Sequence, residues 1–259
     1  MISVLIAVLA PFVGTILGGC MVFFSKKKLS DRLEKILLGF ASGVMIAASV
    51  WSLIIPSINM SSNMGKYSVI PSSVGFMLGM LFLLVLDSFL PHLHMHSEVP
   101  EGHKSNLKKK TMMFLAVTLH NIPEGMAIGV VIAGMLSGNT AISMSSAIAF
   151  AVGIAIQNIP EGAIVAFDMK QKGITNMKSF LYSALSGIVE PVGAVVVMLF
   201  SSLFTNALPY FLSFAAGAMI YVVVEELIPE SQNGKHSNIA TIGVMLGFTL
   251  MMCLDVIFG

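Results

Sequence analysis

An all-α protein that crosses a membrane eight times is the fold class this sequence predicts, on three observations. Its 259 residues are 56% hydrophobic and only 10% charged, where soluble domains carry roughly 25% charged residues. The mean hydropathy is +0.90. Apolar runs long enough to span a bilayer as helices, about 20 residues each, follow one another with short polar breaks between them.

The first run, 2–24, has no Lys or Arg before it and Lys26-Lys27-Lys28 behind it. A secretory signal has the opposite polarity, so the run reads as a retained first helix with its N-terminus outside. The second, 34–57, follows the charged break Lys26–Arg32, and the third, 68–90, follows Asn59–Lys66. The fourth, 111–136, follows the longest connector, Pro91–Lys110, which is polar and carries histidines. The fifth, 140–168, begins after the turn signal Ser137-Gly138-Asn139. The sixth, 175–204, the seventh, 207–231, and the eighth, 237–258, are divided by Lys170–Asn176, Asn206 and Gln232–Ser237. The chain reads as a single transmembrane domain, 1–259, with a His-containing cytoplasmic loop at 91–110 and no soluble domain.

With the N-terminus outside, the loops after the odd-numbered spans face the cytoplasm. They and their flanks hold 13 of the 14 Lys and Arg residues, and Lys66 alone falls on the other side. This split follows the positive-inside rule and puts both termini outside, in an arrangement that fits a bacterial inner membrane. The net charge of +1 gives no basis for a nucleic-acid partner; the bilayer is the expected one. Cys20 and Cys253 both sit in apolar runs, which argues against a disulfide framework or a Cys-rich metal site. The chain has no His-Glu-x-x-His, Gly-x-Ser-x-Gly, Walker loop or dinucleotide fingerprint. It therefore reads as neither an enzyme nor, by itself, an ATP-driven pump, and no resident cofactor is expected.

One phrase is written twice. His120-Asn121-Ile122-Pro123-Glu124-Gly125 recurs as Gln157-Asn158-Ile159-Pro160-Glu161-Gly162, 37 positions later, each copy inside an apolar run. His120 and Glu124 are four apart and share a helix face, with Asn121 close to it; Gln157, Asn158 and Glu161 repeat the spacing. At 1.5 Å per residue, both sets fall roughly 10–20 Å from the inner ends of their spans. Pro123 and Pro160 cannot donate to the carbonyls of Leu119 and Ile156, which predicts kinked, partly unwound helices lining a cavity. Glu190, followed by Pro191, lies at similar depth on the sixth span. An acidic group at a helix centre costs about 2.5–3.5 kcal/mol on insertion scales, and facing carboxylates repel unless a proton or a cation lies between them. Imidazole, carboxylate and amide oxygen together suit a borderline divalent metal such as Zn²⁺, Fe²⁺ or Mn²⁺. Interhelical hydrogen bonding around packing prolines is the plainer alternative.

Further candidates carry two readings each. Met45, at mid-depth on the second span, offers a soft thioether or simply fills the core. Asp87, Glu225 and Glu226 form an exit station for a cation or are interfacial charges reaching for water; Glu230 reads as interfacial. His92, His94 and His96, with His103 further along, collect or sense metal on the cytoplasmic loop or are solvated.

These motifs resemble the ZIP (Zrt-/Irt-like) metal transporters, and above all their prokaryotic GufA/ZupT-type branch. The resemblance rests on the two NIPEG phrases and Glu190-Pro191. It extends to Leu86-Asp87 leading to Pro91-His92-Leu93-His94, and to Ala215-Ala216-Gly217-Ala218-Met219 leading to Glu225-Glu226-Leu227-Ile228-Pro229-Glu230. It covers essentially all eight spans. It implies helices 1–3 and 6–8 related by inversion around helices 4 and 5. It also implies import of divalent metal through His120, Asn121, Glu124, Gln157, Asn158, Glu161 and Glu190, a region able to hold two metals bridged by the glutamates. Alternating access by helices 2, 4, 5 and 7 rocking against 1, 3, 6 and 8, and a homodimer, are further implications. Many relatives have His where this chain has Gln157, which leaves Zn²⁺, Fe²⁺, Mn²⁺, Cd²⁺ and Co²⁺ as candidate cargo. A passive channel with the same residues as its filter is the alternative to a carrier.

Overall fold

The computed structural model describes residues 1–24, 29–93, 100–138, 141–203, 207–234 and 237–258. Among these, eight helices are long and apolar enough to cross a membrane: α1 Ile2–Phe23, α2 Asp31–Met60, α3 Val69–Phe89, α4 Lys109–Leu136, α5 Met144–Gln171, α6 Asn176–Leu203, α7 Leu208–Gln232 and α8 Ile239–Phe258. Each falls on one of the eight predicted runs. The largest shift is at the start of α5, which begins at Met144 because Ser143 and Ser146 form a reciprocal capping box there. α2 begins early for a related reason: the Ser30 hydroxyl accepts from the Leu33 N–H at 3.3 Å, and Asp31 and Glu34 occupy the first turn.

Four helices are inner and four outer. α2, α4, α5 and α7 bury 61–67% of their apolar windows, while α1, α3, α6 and α8 bury 22–39%. Each inner helix is paired with one outer helix along a glycine seam. A Cβ on Gly14 or Gly18 of α1 would run into the carbonyls of Ala155 and Ile159 on α5. Gly39 and Gly43 of α2 stand in the same relation to Ala240 and Val244 of α8, which answers with Gly243 and Gly247 against Ile36 and Phe40. Gly75 and Gly79 of α3 meet Tyr210 and Phe214 of α7, and Gly217 meets Phe76 in return. Gly125 and Gly129 of α4 meet Glu190 and Ala194 of α6. Contact positions rise together in every pair, so all four seams are parallel. Lipid supplies no hydrophobic force between helices, and small residues spaced by four let backbones close to van der Waals distance instead. Gly18, Gly39, Gly43 and Gly217 thus pack within the chain rather than between subunits.

The seams bear on how the bundle can move. A motion that separates α2, α4, α5 and α7 from α1, α3, α6 and α8 would slide all four seams at once. Groupings that leave them intact keep each pair whole, and α1/α4/α5/α6 against α2/α3/α7/α8 is one of these. The rocking groups implied by the resemblance are therefore not the packing units of this chain.

Two further sequence correspondences emerge along the paired helices. Phe40-Ala41-Ser42-Gly43-Val44-Met45-Ile46 on α2 matches Phe214-Ala215-Ala216-Gly217-Ala218-Met219-Ile220 on α7. Each is followed by a π-helical turn, Ser49–Ile54 and Val223–Leu227, and then by Ile55-Pro56 and Ile228-Pro229. On α3, Gly75, Met77, Leu78, Gly79, Leu86 and Asp87 match Gly243, Met245, Leu246, Gly247, Leu254 and Asp255 on α8 at identical spacing.

A bulky residue at a seam has nowhere to go. Gly79→Val, facing the Phe214 carbonyl, is expected to lower the thermal unfolding midpoint of detergent-purified protein, at the overpacking cost of about 1–3 kcal/mol or more. Gly193→Ala, whose new Cβ would find its nearest neighbour at 3.5 Å, is expected to leave the midpoint close to that of the parent.

Candidate metal centre

α4 carries His120, Asn121 and Glu124, and α5 carries Gln157, Asn158 and Glu161. The Gln157 amide N–H donates to Glu124 Oε1 at 2.6 Å and to Asn158 Oδ1 at 2.8 Å. The Asn158 side chain reaches both Glu124 and Glu190. The structure therefore brings the two phrases together with Glu190 between α4, α5 and α6. Glu124, Gln157, Asn158 and Glu190 are all at most 1% exposed.

The unwinding expected at the two prolines does not occur. α4 and α5 run as uninterrupted α-helices through Pro123 and Pro160. The break lies on α6 instead, at Ile188 between Asn176–Gly187 and Val189–Phe200. Pro191 has no N–H for the Gly187 carbonyl, and the loosened turn leaves the Ser186 carbonyl to accept from Asn121 Nδ2 at 3.0 Å. Glu190 sits in the first turn beyond the break, where the Thr15 hydroxyl of α1 donates to its Oε1 at 3.1 Å. The same stretch of α1 offers the Pro11 carbonyl to Asn158 Nδ2 at 3.4 Å.

Polar satisfaction stops there. Glu124 Oε2, Gln157 Oε1, Glu161 Oε1 and Glu190 Oε2 are buried without a hydrogen-bond partner. A cavity of about 30 Å³, lined by His120, Asn121, Glu124, Glu161, Glu226 and Glu230 among others, adjoins them. One water-sized sphere needs roughly 10–15 Å³, so the cavity has room for an ion.

The secondary candidates divide. Glu226 is buried and paired with His120 Nε2, and it lines both the central cavity and the small pocket that reaches Asp87. Glu225, its neighbour, is exposed and does not line the cavity. Glu230 lines the cavity too, against its interfacial reading. Met45 is fully buried in the apolar core and outside the cavity lining. Asp87 and His92 form a second group near the end of α3: His92 Nε2 lies 3.0 Å from Asp87 Oδ1, and the Tyr221 hydroxyl donates to Asp87 Oδ2 at 3.2 Å. Glu101 joins them through a backbone bridge to His92, and one ligand atom from each of the three residues lies within 4.8 Å of the others. His103 is exposed, and His94 and His96 lie outside the described residues.

Sequence reasoning did not name Thr15, read Glu230 as interfacial, and could not separate Glu226 from Glu225. The α2–α7 correspondence contains the missing signal for Glu226. Its α7 copy reaches the proline one residue sooner, so regular helical counting fails across that stretch.

The whole chain has relatives of known description. A sequence model of the family described as "ZIP Zinc transporter" matches residues 1–112 and 109–255. The chain belongs to the ZIP family. Among its relatives, "Zinc transporter ZIPB" of Bordetella bronchiseptica is 38% identical over 96% of this chain and 79% of its own length. "Zinc transporter GufA" of Myxococcus xanthus is 36% identical over 95% and 96%. "Zinc transporter ZupT" of Clostridium perfringens is 30% identical over 91% and 88%. Membership of the GufA/ZupT-like branch places this ZIP protein among membrane transporters of divalent metal, not among enzymes. The eight apolar helices make it an integral membrane protein.

Thr15 gives the site a test independent of transport. Thr15→Val removes one of the donors to the buried Glu190 carboxyl, a penalty of about 1–3 kcal/mol. A lowered unfolding midpoint is expected for Thr15→Val, with recovery in Thr15→Ser.

Proposed function

We propose that this ZIP protein moves a divalent transition metal into the cytoplasm of a bacterium, from the inner membrane, with both termini outside. Zn²⁺ is the first candidate, and Fe²⁺, Mn²⁺, Cd²⁺ and Co²⁺ follow. His120 supplies nitrogen, Glu124 and Glu161 neutralise and bridge the ion, and Asn121, Gln157 and Asn158 supply amide oxygen. Glu190 completes a second position beside Asn158.

The observation that carries this reading is the set of four buried oxygens without donors, from three helices, beside an imidazole. A bare buried acceptor costs about 1–3 kcal/mol, and an ionised one more. One divalent cation among them answers several at once, and nitrogen beside oxygen favours Zn²⁺ or its neighbours over Ca²⁺ or Mg²⁺. In this arrangement Glu226 holds His120 until metal displaces it.

A carrier is favoured over a channel because access is one-sided. A second cavity, lined by Trp51, Ser52, Val131, Ser146 and Asp255, opens toward the ends where the termini lie. It shares no lining residue with the central one. Along α2, α4 and α5, the stretches between the two cavities carry the fully buried Met45, Ala127, Ile128, Phe150 and Ile154. The α2–α7 and α3–α8 correspondences, with the two NIPEG phrases, support an inverted repeat that exchanges α1–α3 with α6–α8 and α4 with α5. The helix pairing supports it as well, since that exchange maps the four seams onto one another. Alternating access then moves α1/α4/α5/α6, which carry all seven donors, against α2/α3/α7/α8, which carry Glu226 and Glu230.

The decisive experiment is metal uptake into proteoliposomes holding the full chain. Uptake is expected to saturate with Zn²⁺ and to vanish in the Glu124→Ala, Glu161→Ala double variant; unchanged uptake there overturns the reading. Gln157→His is expected to tilt the ion ranking toward Zn²⁺. Protons and metal compete for the same carboxylates, so uptake is expected to fall as the pH on the loading side is lowered.

A further inference from the structure

One stripe of α2 runs from the central cavity to the outer one. Leu38 lines the central cavity, and Trp51 and Ser52 line the outer cavity of about 220 Å³. Leu38, Met45, Ser49 and Ser52 follow one another at spacings of seven, four and three, so they share a helix face. Between the two cavities α4 contributes residues 125–130 and α5 contributes 147–156, and neither stretch holds a polar side chain. On α2 the stretch 39–50 holds two, Ser42 and Ser49. The Ser42 hydroxyl donates to the Leu38 carbonyl at 2.8 Å, which is how a serine inside a helix ordinarily satisfies itself. Ser61, further along α2, does the same toward the Ser57 carbonyl at 3.2 Å. Ser49 does not. It is fully buried, its backbone N–H is bonded within the turn, and its Oγ has no hydrogen-bond partner. Among the described residues it is the one buried Ser or Thr hydroxyl so left. It also opens the π-helical turn Ser49–Ile54, a distortion that frequently falls at functional positions.

We infer that the Ser49 hydroxyl is a ligand for the cation in transit, taken up as the ion crosses the closed layer between the outer cavity and the centre. The inference rests on the transport reading above and adds a residue on the closed part of the path. A layer built from Met45, Ala127, Ile128, Phe150 and Ile154 insulates well and solvates nothing, so an ion that enters it loses water without replacement. One neutral oxygen lowers that barrier without becoming a trap. It holds a divalent ion more weakly than the carboxylates of the centre do, and passage needs stations weak enough to leave. Ser49 lies about 4.5 Å inward of Ser52 at 1.5 Å per residue, one step beyond the cavity that Asp255 lines. A lone hydroxyl in apolar surroundings is a standing cost. A partner present only during transit answers it, through the oxygen lone pairs.

The test uses the full chain in a Cys20→Ser, Cys253→Ser background, reconstituted into proteoliposomes. Ser49→Ala is expected to lower the maximal Zn²⁺ uptake rate about tenfold, the loss of one contact to a charged group at the barrier. Its unfolding midpoint is expected to be no lower than the parent's, because the change deletes a bare buried hydroxyl; a merely structural serine would not separate the two readouts. Ser49→Cys places a soft sulfur at the same point and is expected to raise Cd²⁺ uptake relative to Zn²⁺. A small charged methanethiosulfonate is expected to label Ser49→Cys and block its uptake. The same reagent is expected to leave Ala47→Cys unlabelled, since Ala47 is equally buried but on the opposite face of α2. Undiminished uptake in Ser49→Ala, an unshifted Cd²⁺ to Zn²⁺ ratio in Ser49→Cys, or labelling at position 49 no faster than at 47 overturns the inference and leaves the transport reading standing. A parent protein that takes up no Zn²⁺ removes the transport reading and this inference with it.

Discussion

Five carboxylates, Glu124, Glu161, Glu190, Glu226 and Glu230, crowd one region inside an apolar bundle with a single imidazole among them. Taking even one ionised carboxyl out of water costs several kcal/mol unless a partner compensates it. Much of the surrounding structure is arranged around that constraint. α6 breaks at Ile188 and gives up a carbonyl to Asn121; α1 turns Thr15 and the Pro11 carbonyl inward to hold Glu190 and Asn158. These contacts satisfy the outward oxygens and hold the inward ones in place. The ensemble is poised for a positive guest because its own internal donors run out before its acceptors do.

The glycine seams make that crowding possible. Side chains on three helices reach a common point only if the backbones approach closely, and Gly125 against Glu190 does this at the centre itself. Each seam also removes a degree of freedom, since two backbones in contact cannot rotate past one another cheaply. The proposed donors thus lie on two seam-joined pairs, α1/α5 and α4/α6, and Glu226 lies on a third, α3/α7. In the proposed alternating access, relative motion of the two helix sets would exchange the partner of His120 while the seven proposed donors travel together.

The sequence was legible where one-dimensional signals map directly onto structure. Eight apolar runs became eight helices because length and hydropathy alone decide a span, and the doubled NIPEG phrase marked the centre because ionisable groups have few reasons to be in such runs. What escaped depended on register and on partners from distant segments. Glu225 and Glu226 are adjacent, so apolar context could not rank them; the π turn at Val223–Leu227 turns Glu226 inward and leaves Glu225 out. Thr15 carries no local sign of its duty, because its partner is 175 positions away. Pro123 and Pro160 look like breaks, yet the distortion settles on α6, which is an outer helix and less confined than α4 or α5.

The buried layer between the central cavity and the Asp255 cavity has an electrical consequence. Water filling a vestibule of about 880 Å³ on one face and the central cavity would carry the potential of that compartment inward. Most of the membrane voltage then falls across the short stretch from Glu124 to Val131, about 10 Å at 1.5 Å per residue against about 30 Å of hydrocarbon. The local field is roughly threefold that of the surrounding bilayer. At about 2.3 kcal/mol per charge per 100 mV, a divalent ion crossing those few ångströms feels nearly the full transmembrane drop in a single step. The insulation of the whole membrane at this point rests on side chains such as Met45, Ile128, Phe150 and Ile154.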